Sequence, residues 1–302
     1  MGHQMTTLHD RLRALPYAVK CYSVTAFQYR GCGGNQHCAV VLPALAQSFL
    51  RGALNNIQQL SVLYGETIFV VLCKVESNSA SAYFFHNGYA VQRCGSGSLA
   101  AAKILYQEYS AQNEVNTKPI QLQTGTQRLT LYRHSDHQYS YLSPVLPAQI
   151  ASSQVTKLLS FLLGVSCREV VGNAFNVGGR GDYYLLLLKD AATLKALQPK
   201  FRLIAQYTQR AVIVTAPLKN TGKRTLAAST FDYGLRYFAP QYGNQEDAAT
   251  GSAHVQVAAY WQRCYRTHCV RGLQLSSEGG QFTVCRHKQW QRVKGEVRVL
   301  DC

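Results

Sequence analysis

Short apolar runs, many of them alternating with polar residues, recur along this chain and predict a protein rich in β-strands. In the first half these runs lie at residues 18–27, 39–42, 67–75, 82–85 and 129–132, and in the second half at 169–171, 183–188, 211–215 and 235–238. Helical periodicity occurs between them at residues 44–60, 152–163 and 191–207. The order of elements therefore repeats in the two halves, with strands, a helix and further strands.

Two further segments predict helices that are apolar on nearly every side. The first follows Gly95-Ser96 and covers residues 99–106, and the second follows Gly251-Ser252 and covers residues 255–261. A helix of this kind must be buried, and small residues at its start let other backbone approach closely. A single N-capped core helix would explain either segment alone. Because the pattern occurs twice, it indicates two similar halves, each built around a central helix.

The first turn of each central helix is also a candidate binding site. Its amides have no acceptor within the helix, and the positive end of the helix dipole lies there, which suits a carboxylate or a phosphate. Two such ends could together hold one anionic substrate. We therefore expect a small anionic metabolite as the partner of this protein.

Composition and charge exclude several other classes of function. The chain has 302 residues, of which 47% are hydrophobic, so it can form two well-filled cores. It has no run of about 18 apolar residues, and we therefore expect no membrane span. A formal net charge of +16 is compatible with nucleic-acid binding. The basic residues are scattered, however, and do not interleave with aromatic ones, so we expect no nucleic-acid partner. A general attraction for acidic small molecules is the expected consequence.

Ten cysteines without a recognisable signal peptide predict free thiols and a reducing, cytoplasmic location. A possible zinc cluster consists of Cys264, His268, Cys269, Cys285 and His287. Its spacing is not the paired Cys-x-x-Cys of a structural zinc site, so we expect no metal.

Domain boundaries follow from polar and proline-bearing segments. We predict an extension at residues 1–16, with a short helix at 8–15, a first domain formed by 17–135 with 285–302, and a second domain at 136–284. The chain after Ser276 is expected to pair back onto one of the sheets.

Four segments resemble, in order, the signatures of the phenazine-biosynthesis PhzF-like isomerase family. The most specific lies within residues 235–254 and ends in Glu246-Asp-Ala-Ala-Thr-Gly-Ser-Ala-His254. The others are Val24-Thr-Ala-Phe27 with Gly33-Gly-Asn35, Gly65-Glu66-Thr-Ile-Phe69, and Cys94-Gly95-Ser96. Together they cover the chain from about residue 17 to its end.

The resemblance implies a diaminopimelate-epimerase-like fold of the α/β (α+β) class. In that fold two homologous domains, related by a pseudo-two-fold axis, each wrap a mixed sheet around one central helix, and the active site lies in the cleft between them. The resemblance also implies a cofactor-independent isomerase, expected as a homodimer, that moves a proton on a small carboxylate-bearing metabolite.

By the same resemblance, Glu66 is the general acid/base. A carboxyl group can both donate and accept a proton near neutral pH only if burial raises its pKa towards about 6–7. The neighbouring Tyr64, Ile68 and Phe69 are of the type that would desolvate it. We therefore expect Glu66 to be shielded from water.

The remaining site residues are carried over in the same way. Asp247 could orient the substrate or the glutamate, or it could simply be a carboxylate at a helix start; Ser252 completes the catalytic set. Substrate-binding positions are expected at Gly34, Asn35, Cys94, Gly95, Ser96, Thr250 and Gly251. Arg180, in a predicted turn between strands, is a further candidate for binding a substrate carboxylate.

Departures from the family pattern leave the substrate and two other functions open. Ser96 stands where the family commonly has histidine, and Gln36 stands where it has proline. The phenazine substrate is therefore not expected. One alternative is a non-catalytic protein that binds a ligand or another protein. The other is an epimerase or racemase that uses Cys94, although Thr250 occupies the position of the second thiol that such chemistry requires.

Overall fold

The computed structural model describes residues 8, 10–13, 15–16, 18–29, 33–44, 47–108, 118–125, 127–218 and 230–300. The chain divides into two compact units, residues 1–142 with 294–302 and residues 143–293. The predicted boundaries, after residues 135 and 284, lie slightly before those of the structure, which follow residues 142 and 293. Residues 10–13 are helical, and Leu8 and Leu12 are buried in the core of the first unit. This part of the predicted extension is therefore integral to the first unit.

The first unit is a mixed sheet with helices on both faces. Its elements are β1 (Lys20–Ala26), β2 (Asn35–Val41), α1 (Gln47–Leu63), β3 (Ile68–Cys73), β4 (Ser79–His86), β5 (Tyr89–Ala90), α2 (Gly95–Glu108), β6 (Ile120–Gln123), β7 (Arg128–Arg133) and β8 (Gln138–Pro144). Strand β2 is antiparallel to β1 and parallel to β3, and β4 is antiparallel to β3 and parallel to β6. Strand β7 joins β6 to β8 by antiparallel pairing.

The two faces of this sheet are covered by different helices. Cys38 and Val40 of β2 pack with Leu50, Ala53 and Ile57 on the side of α1. Because successive side chains of a strand alternate, the residues between them point to the opposite face, where α2 packs against β1, β2 and β3. The central helix α2 is buried over most of its length, from Ser96 to Tyr106.

The second unit repeats this arrangement. Its elements are β9 (Ala148–Ile150), α3 (Ser153–Leu163), β10 (Phe175–Val177), β11 (Tyr183–Leu187), α4 (Ala191–Lys195), α5 (Phe201–Tyr207), β12 (Ala211–Pro217), β13 (Tyr233–Ala239), β14 (Asn244–Glu246), α6 (Gly251–Cys264), β15 (Cys269–Gln274) and β16 (Gly280–His287). Strand β17 (Trp290–Leu300) begins in this unit, and its residues 294–300 belong to the first unit. Pairing of β10 to β13 follows the same antiparallel, parallel, antiparallel order as β1 to β4. Strand β13 is parallel to β15, as β4 is to β6. The predicted duplication around two central helices is therefore confirmed.

The tail of the chain also pairs as expected. Strand β16 is antiparallel to β15, and residues 297–300 of β17 are antiparallel to β1. No helix in the described ranges is long and apolar enough to span a membrane.

Two predicted elements are wrong in detail. Residues 169–171 do not form the expected strand. Cys167–Glu169 is a 3₁₀ helix, and Val170 makes only an isolated bridge to Leu188. The single helix expected at 191–207 is broken into α4 and α5. Pro199 lies between them, has no amide hydrogen and disfavours helical geometry at the residue before it.

The expectation of free thiols is wrong for one pair of cysteines. Cys269 and Cys285 are directly opposite each other on β15 and β16, and they form a disulfide with their Cα atoms 4.1 Å apart. Cross-strand register brings these thiols together, and nothing in their spacing of 16 residues signals it. Six other cysteines in the described ranges form no disulfide: 21, 38, 73, 94, 167 and 264.

Each unit encloses one fully buried histidine, His37 on β2 and His254 on α6. Burial lowers the pKa of His37 to about 4, although the nearby carbonyls of Val24 and Asn35 oppose the shift. Neither ring nitrogen of His37 has a hydrogen bond of normal geometry in the described structure. Burial lowers the pKa of His254 to about 3. Both rings are therefore neutral at physiological pH.

We predict that Gly34→Ala destabilises the protein more than Gly243→Ala does. Both glycines have left-handed backbone, with φ of +78° and +81°, and each pays a strain of about 1 kcal/mol when it becomes alanine. A Cβ at residue 34 would also collide with the carbonyl oxygen of Ala26, whereas nothing lies within 4 Å of one at residue 243. Denaturant unfolding should give a loss of roughly 3 kcal/mol for Gly34→Ala. Equal losses in the two variants would contradict this packing argument.

We also predict that acid destabilises the protein through its buried histidines. Because the folded pKa of His37 is below the value of 6.5 in an unfolded chain, the unfolded state binds more protons below pH 6.5. Stability should therefore fall as the pH drops from 6.5 towards 4, by about 2 kcal/mol per buried histidine at pH 5. In His37→Leu the difference in unfolding free energy between pH 7.5 and pH 5 should shrink by that amount. The exposed His268, changed to Leu, is the control and should leave the difference unaltered.

Candidate functional site

Three predicted residues of the first unit meet at the start of α2. Asn35 is the first residue of β2, and its Nδ2 donates a hydrogen bond of 3.0 Å to Ser96 Oγ. Both side chains are at most 5% exposed. Gly34, which packs against the carbonyl of Ala26, lets the chain turn directly into β2 and so fixes the position of Asn35.

Cys94 caps the N-terminus of α2. Its Sγ accepts a hydrogen bond from the Gly97 amide at 3.3 Å and lies 3.6 Å from Ser96 Oγ. Its carbonyl accepts hydrogen bonds from the amide and the hydroxyl of Ser98. The amides of Gly95 and Ser96 have no acceptor in the described part of the chain. The first turn of α2 is therefore able to bind an anion.

Glu66 lies at the same end of the sheet but is not shielded from water. It belongs to the turn between α1 and β3, and its side chain is exposed. His37 of β2 pairs with Ile68 of β3 in a parallel ladder. Asn35 and Glu66 each lie two residues before this pair, so both belong to the same end of the two strands. The desolvation expected from its neighbours is wrong, because Phe69 points into the core beneath α1 instead.

The second unit holds its corresponding helix end with a different set of contacts. The Thr250 hydroxyl donates to Asp247 Oδ2 at 2.6 Å. Gln274, at the end of β15, accepts the Thr250 amide at Oε1 (2.6 Å) and donates from Nε2 to the Asp247 carbonyl (2.5 Å). The amides of Gly251 and Ser252 have no acceptor among the described residues. The predicted Asp247, Thr250, Gly251 and Ser252 are thus brought together at the start of α6.

A bidentate ion pair fixes the hairpin that leads to Asp247. Arg236 Nε and Nη2 donate to the two carboxylate oxygens of Glu246 at 2.8 and 2.7 Å. Arg236 also donates to the carbonyls of Leu194 and Leu197. Because Glu246 immediately precedes Asp247, this pair restricts the backbone position of the aspartate.

Sequence reasoning gave no role to Gln274, His254 or Tyr233. All three are buried in the second unit, and Tyr233 Oη lies 2.8 Å from His254 Nδ1. His254 is part of the quoted signature, but its partner Tyr233 comes from another element. The polar character of Gln274 in the otherwise buried end of β15 was the available signal.

Among the described residues, no hydrogen bond links Arg180 to the start of α2 or to the start of α6. It lies in the turn between β10 and β11, where its Nε donates to Gln209 Oε1 at 2.7 Å. The turn is closed by Asp182, which accepts the Gly179 amide at 2.6 Å. The segment Arg180-Gly181-Asp182 is therefore part of a turn between strands, as predicted for Arg180.

No group of three or more His, Cys, Asp or Glu is placed to hold a metal ion within the described ranges. Two members of the candidate zinc cluster, Cys269 and Cys285, are joined by the disulfide.

Comparison with known proteins agrees with this architecture. The family model described as phenazine biosynthesis-like protein matches residues 24–297. An uncharacterised isomerase of Pseudomonas aeruginosa is 28% identical over 275 residues, which is 91% of each chain. An uncharacterised isomerase of Vibrio cholerae is 28% identical over 77% of this chain and 73% of its own length.

Solved structures share the fold at low sequence identity. A phenazine biosynthesis protein of the PhzF family from Enterococcus faecalis superposes with a TM-score of 0.72 at 21% identity, covering 93% of this chain and 96% of its own. A probable proline racemase from Agrobacterium radiobacter gives a TM-score of 0.55 at 9% identity, covering 94% and 91%. Because the family model covers most of the sequence and the curated relatives are named isomerases, the chain belongs to the phenazine biosynthesis-like (PhzC-PhzF) family and is one of its isomerases.

Proposed function

We propose that this protein is a cofactor-independent isomerase in which Glu66 moves a proton between two carbons of a small carboxylate-bearing metabolite. The observation that carries the proposal is the buried hydrogen bond from Asn35 to Ser96. It ties the start of β2 to the start of α2, and the parallel neighbour β3 begins just after Glu66. An acid/base and an anion-binding helix end therefore belong to one end of the first sheet.

The chemical step needs only groups of this chain and the substrate. The Glu66 carboxylate takes a proton from a carbon next to an electron-withdrawing group, and the electron pair moves into the conjugated system. The resulting carboxylic acid then returns the proton to a different carbon of that system. The unpaired amides of Gly95 and Ser96 would stabilise the negative charge that develops on the substrate carboxylate. Because Glu66 is exposed in the absence of substrate, its desolvation would come from the bound substrate.

The helix end of the second unit is proposed to bind and orient an anionic substrate group. Gly251 and Ser252 offer free amides, and Asp247 is held by Thr250 and Gln274. Their role is to position the substrate rather than to transfer the proton. The substrate class is a small anion, in accord with the formal net charge of +16.

We predict that Glu66→Gln abolishes proton exchange without unfolding the protein. The test is NMR in heavy water with a panel of small unsaturated and amino acid carboxylates. Deuterium incorporation by the wild type should fall by at least about 100-fold in Glu66→Gln, because the amide cannot accept the proton. Glu66 is exposed, so the unfolding free energy should be nearly unchanged.

Glu76→Gln is the matched control for this variant. Glu76 is an exposed glutamate in the turn that follows β3, at the other end of the same strand. Its replacement should leave deuterium incorporation at the wild-type rate. An active Glu66→Gln variant would refute the role of Glu66.

A second candidate function is ligand binding without catalysis. The observations that favour it are the exposure of Glu66 and the hydroxyl of Ser96 in the position where the family commonly has an imidazole. The same NMR panel separates the two candidates. Ligand-induced shifts without deuterium incorporation in any compound would favour the binding protein.

Racemisation with two thiols has less support. Cys94 caps α2 and could act as one base, but the matching position on α6 is Thr250. The Thr250 hydroxyl donates to Asp247 and is not a thiolate. Racemisation by two bases needs a competent group on each side of the substrate.

We further propose a homodimer in the cytoplasm. Six described cysteines form no disulfide, which favours a reducing compartment, whereas the Cys269–Cys285 pair does form one. The dimer is expected from the family. Size-exclusion chromatography with light scattering at micromolar concentration should give twice the mass of the chain. A mass equal to one chain would contradict the dimer.

A further inference from the structure

We propose that Tyr233, His254 and Gln274 form a directed hydrogen-bond relay that ends on Thr250 and Asp247 and positions the Asp247 carboxylate. We call these five residues the Asp247 relay. The proposal rests on the proposed function, because Asp247 is assumed to serve the isomerisation. Gln274, His254 and Tyr233 act through other groups and are positioning residues.

The end of the relay nearest Asp247 is defined by the donors of Gln274. Its Nε2 donates to the Asp247 carbonyl at 2.5 Å and to Thr250 Oγ1 at 3.2 Å. Its Oε1 accepts the Thr250 amide at 2.6 Å, which fixes the orientation of the carboxamide. Since Thr250 Oγ1 already accepts one hydrogen bond, its own proton is directed to Asp247 Oδ2 at 2.6 Å. The side chain of Asp247 is thereby held as an acceptor.

The far end of the relay is defined by the protonation of a buried pair. Burial raises the pKa of Tyr233 well above 10, so its hydroxyl keeps its proton. Burial lowers the pKa of His254 to about 3, so its ring is neutral. Two neutral groups allow either direction for the contact of 2.8 Å between them, and the relay assigns Tyr233 as the donor and His254 Nδ1 as the acceptor. A neutral imidazole that accepts at Nδ1 carries its proton on Nε2.

The link between the two ends is His254 Nε2. This atom is buried and has no hydrogen bond of normal geometry, yet the neighbouring Gln274 side chain raises the pKa of the ring. A buried donor without an acceptor destabilises the folded protein. The Gln274 Oε1 atom has a second lone pair beyond the one that accepts Thr250. The relay assigns the Nε2 proton to that lone pair.

Packing leaves His254 little freedom to turn away. Its ring stacks on Phe282 with the centroids 3.7 Å apart, and Tyr233 lies 5.4 Å away on centroids. Gly272 of β15 closes over the pair, since a Cβ there would lie 2.6 Å from His254 Nδ1 and 2.5 Å from Tyr233 Cζ. The backbone of β15 therefore approaches closely enough to hold both rings.

The described residues of the first unit form no counterpart of this relay, although the unit has the same fold. Its central helix carries Cys94 and Ser98 at the positions of Thr250 and His254, 156 residues earlier in each case. The Ser98 hydroxyl bonds to the Cys94 carbonyl within its own helix. A buried central helix of this fold is thus capped without a tyrosine–histidine pair. We therefore attribute the tyrosine–histidine pair of the second unit to the positioning of Asp247 rather than to the capping of the helix.

The first arm of the test is NMR of protein labelled with ¹⁵N-histidine. In the wild type, His254 should show an unprotonated Nδ1 and a protonated Nε2 with slow solvent exchange, from pH 5 to pH 8. Gln274→Met removes the acceptor and should change the Nε2 shift and accelerate exchange of its proton. A wild-type His254 protonated on Nδ1, or resonances unchanged by Gln274→Met, would overturn the relay. This arm needs no substrate.

Gln262→Met is the matched control. Gln262 is likewise a buried glutamine of the second unit, at the opposite end of α6, and its Nε2 bonds to the carbonyls of His268 and Val284 and to Gln291. The Gln262→Met variant should be destabilised to a similar extent as the Gln274→Met variant. The His254 resonances should not change in Gln262→Met.

The second arm uses deuterium incorporation into whichever carboxylate of the panel the wild type exchanges. Gln274→Met should lower kcat roughly 10- to 100-fold with little change in KM, because the carboxylate is misplaced for the reaction rather than for binding. Gln262→Met should leave kcat unchanged. Equal kcat in both variants would overturn the functional role of the relay. Absence of exchange in every compound would instead reject the proposed isomerase, while the first arm would still decide whether the relay exists.

Discussion

A helix that is buried on every side must satisfy the amides of its first turn without water, and the site of this protein is built around that constraint. In α2 a cysteine thiol and carbonyl cap the helix, and in α6 a glutamine side chain holds the preceding residue. Each cap leaves two amides without an acceptor in the described structure. The proposed anionic substrate would be attracted to such amides, because the helix dipole adds to their attraction.

The same constraint explains why the two units share a fold but not a set of polar residues. Both wrap strands in the same order around a central helix. The first unit joins its helix to β2 through Asn35 and Ser96, whereas the second joins its helix to β15 through Gln274. Once the helix end is secured by a strand, the identity of the securing residue is free to vary. The duplicated scaffold therefore carries the proposed acid/base in one unit and the proposed Asp247 relay in the other.

Local sequence patterns were sufficient for the long elements and insufficient where tertiary contacts compete. The central helices and the strands of the parallel pairs have strong apolar signals, so they could be found from the chain alone. The break at Pro199 follows from the proline itself, a local signal within the predicted helix, whereas the single bridge of Val170 depends on what packs around it. The exposure of Glu66 was missed for a related reason, because the direction of a turn decides which neighbours a side chain meets.

The sequence by itself determined the family, the duplication and the positions of the two helix ends, since apolar periodicity and short motifs are properties of neighbouring residues. Tertiary structure alone decided the contacts between residues far apart in the chain. The disulfide of Cys269 and Cys285 needs the register of β15 against β16. The pairing of Tyr233 with His254 needs β13 to lie beside the glycine of β15. Such contacts follow from strand register and close packing, which no single segment specifies.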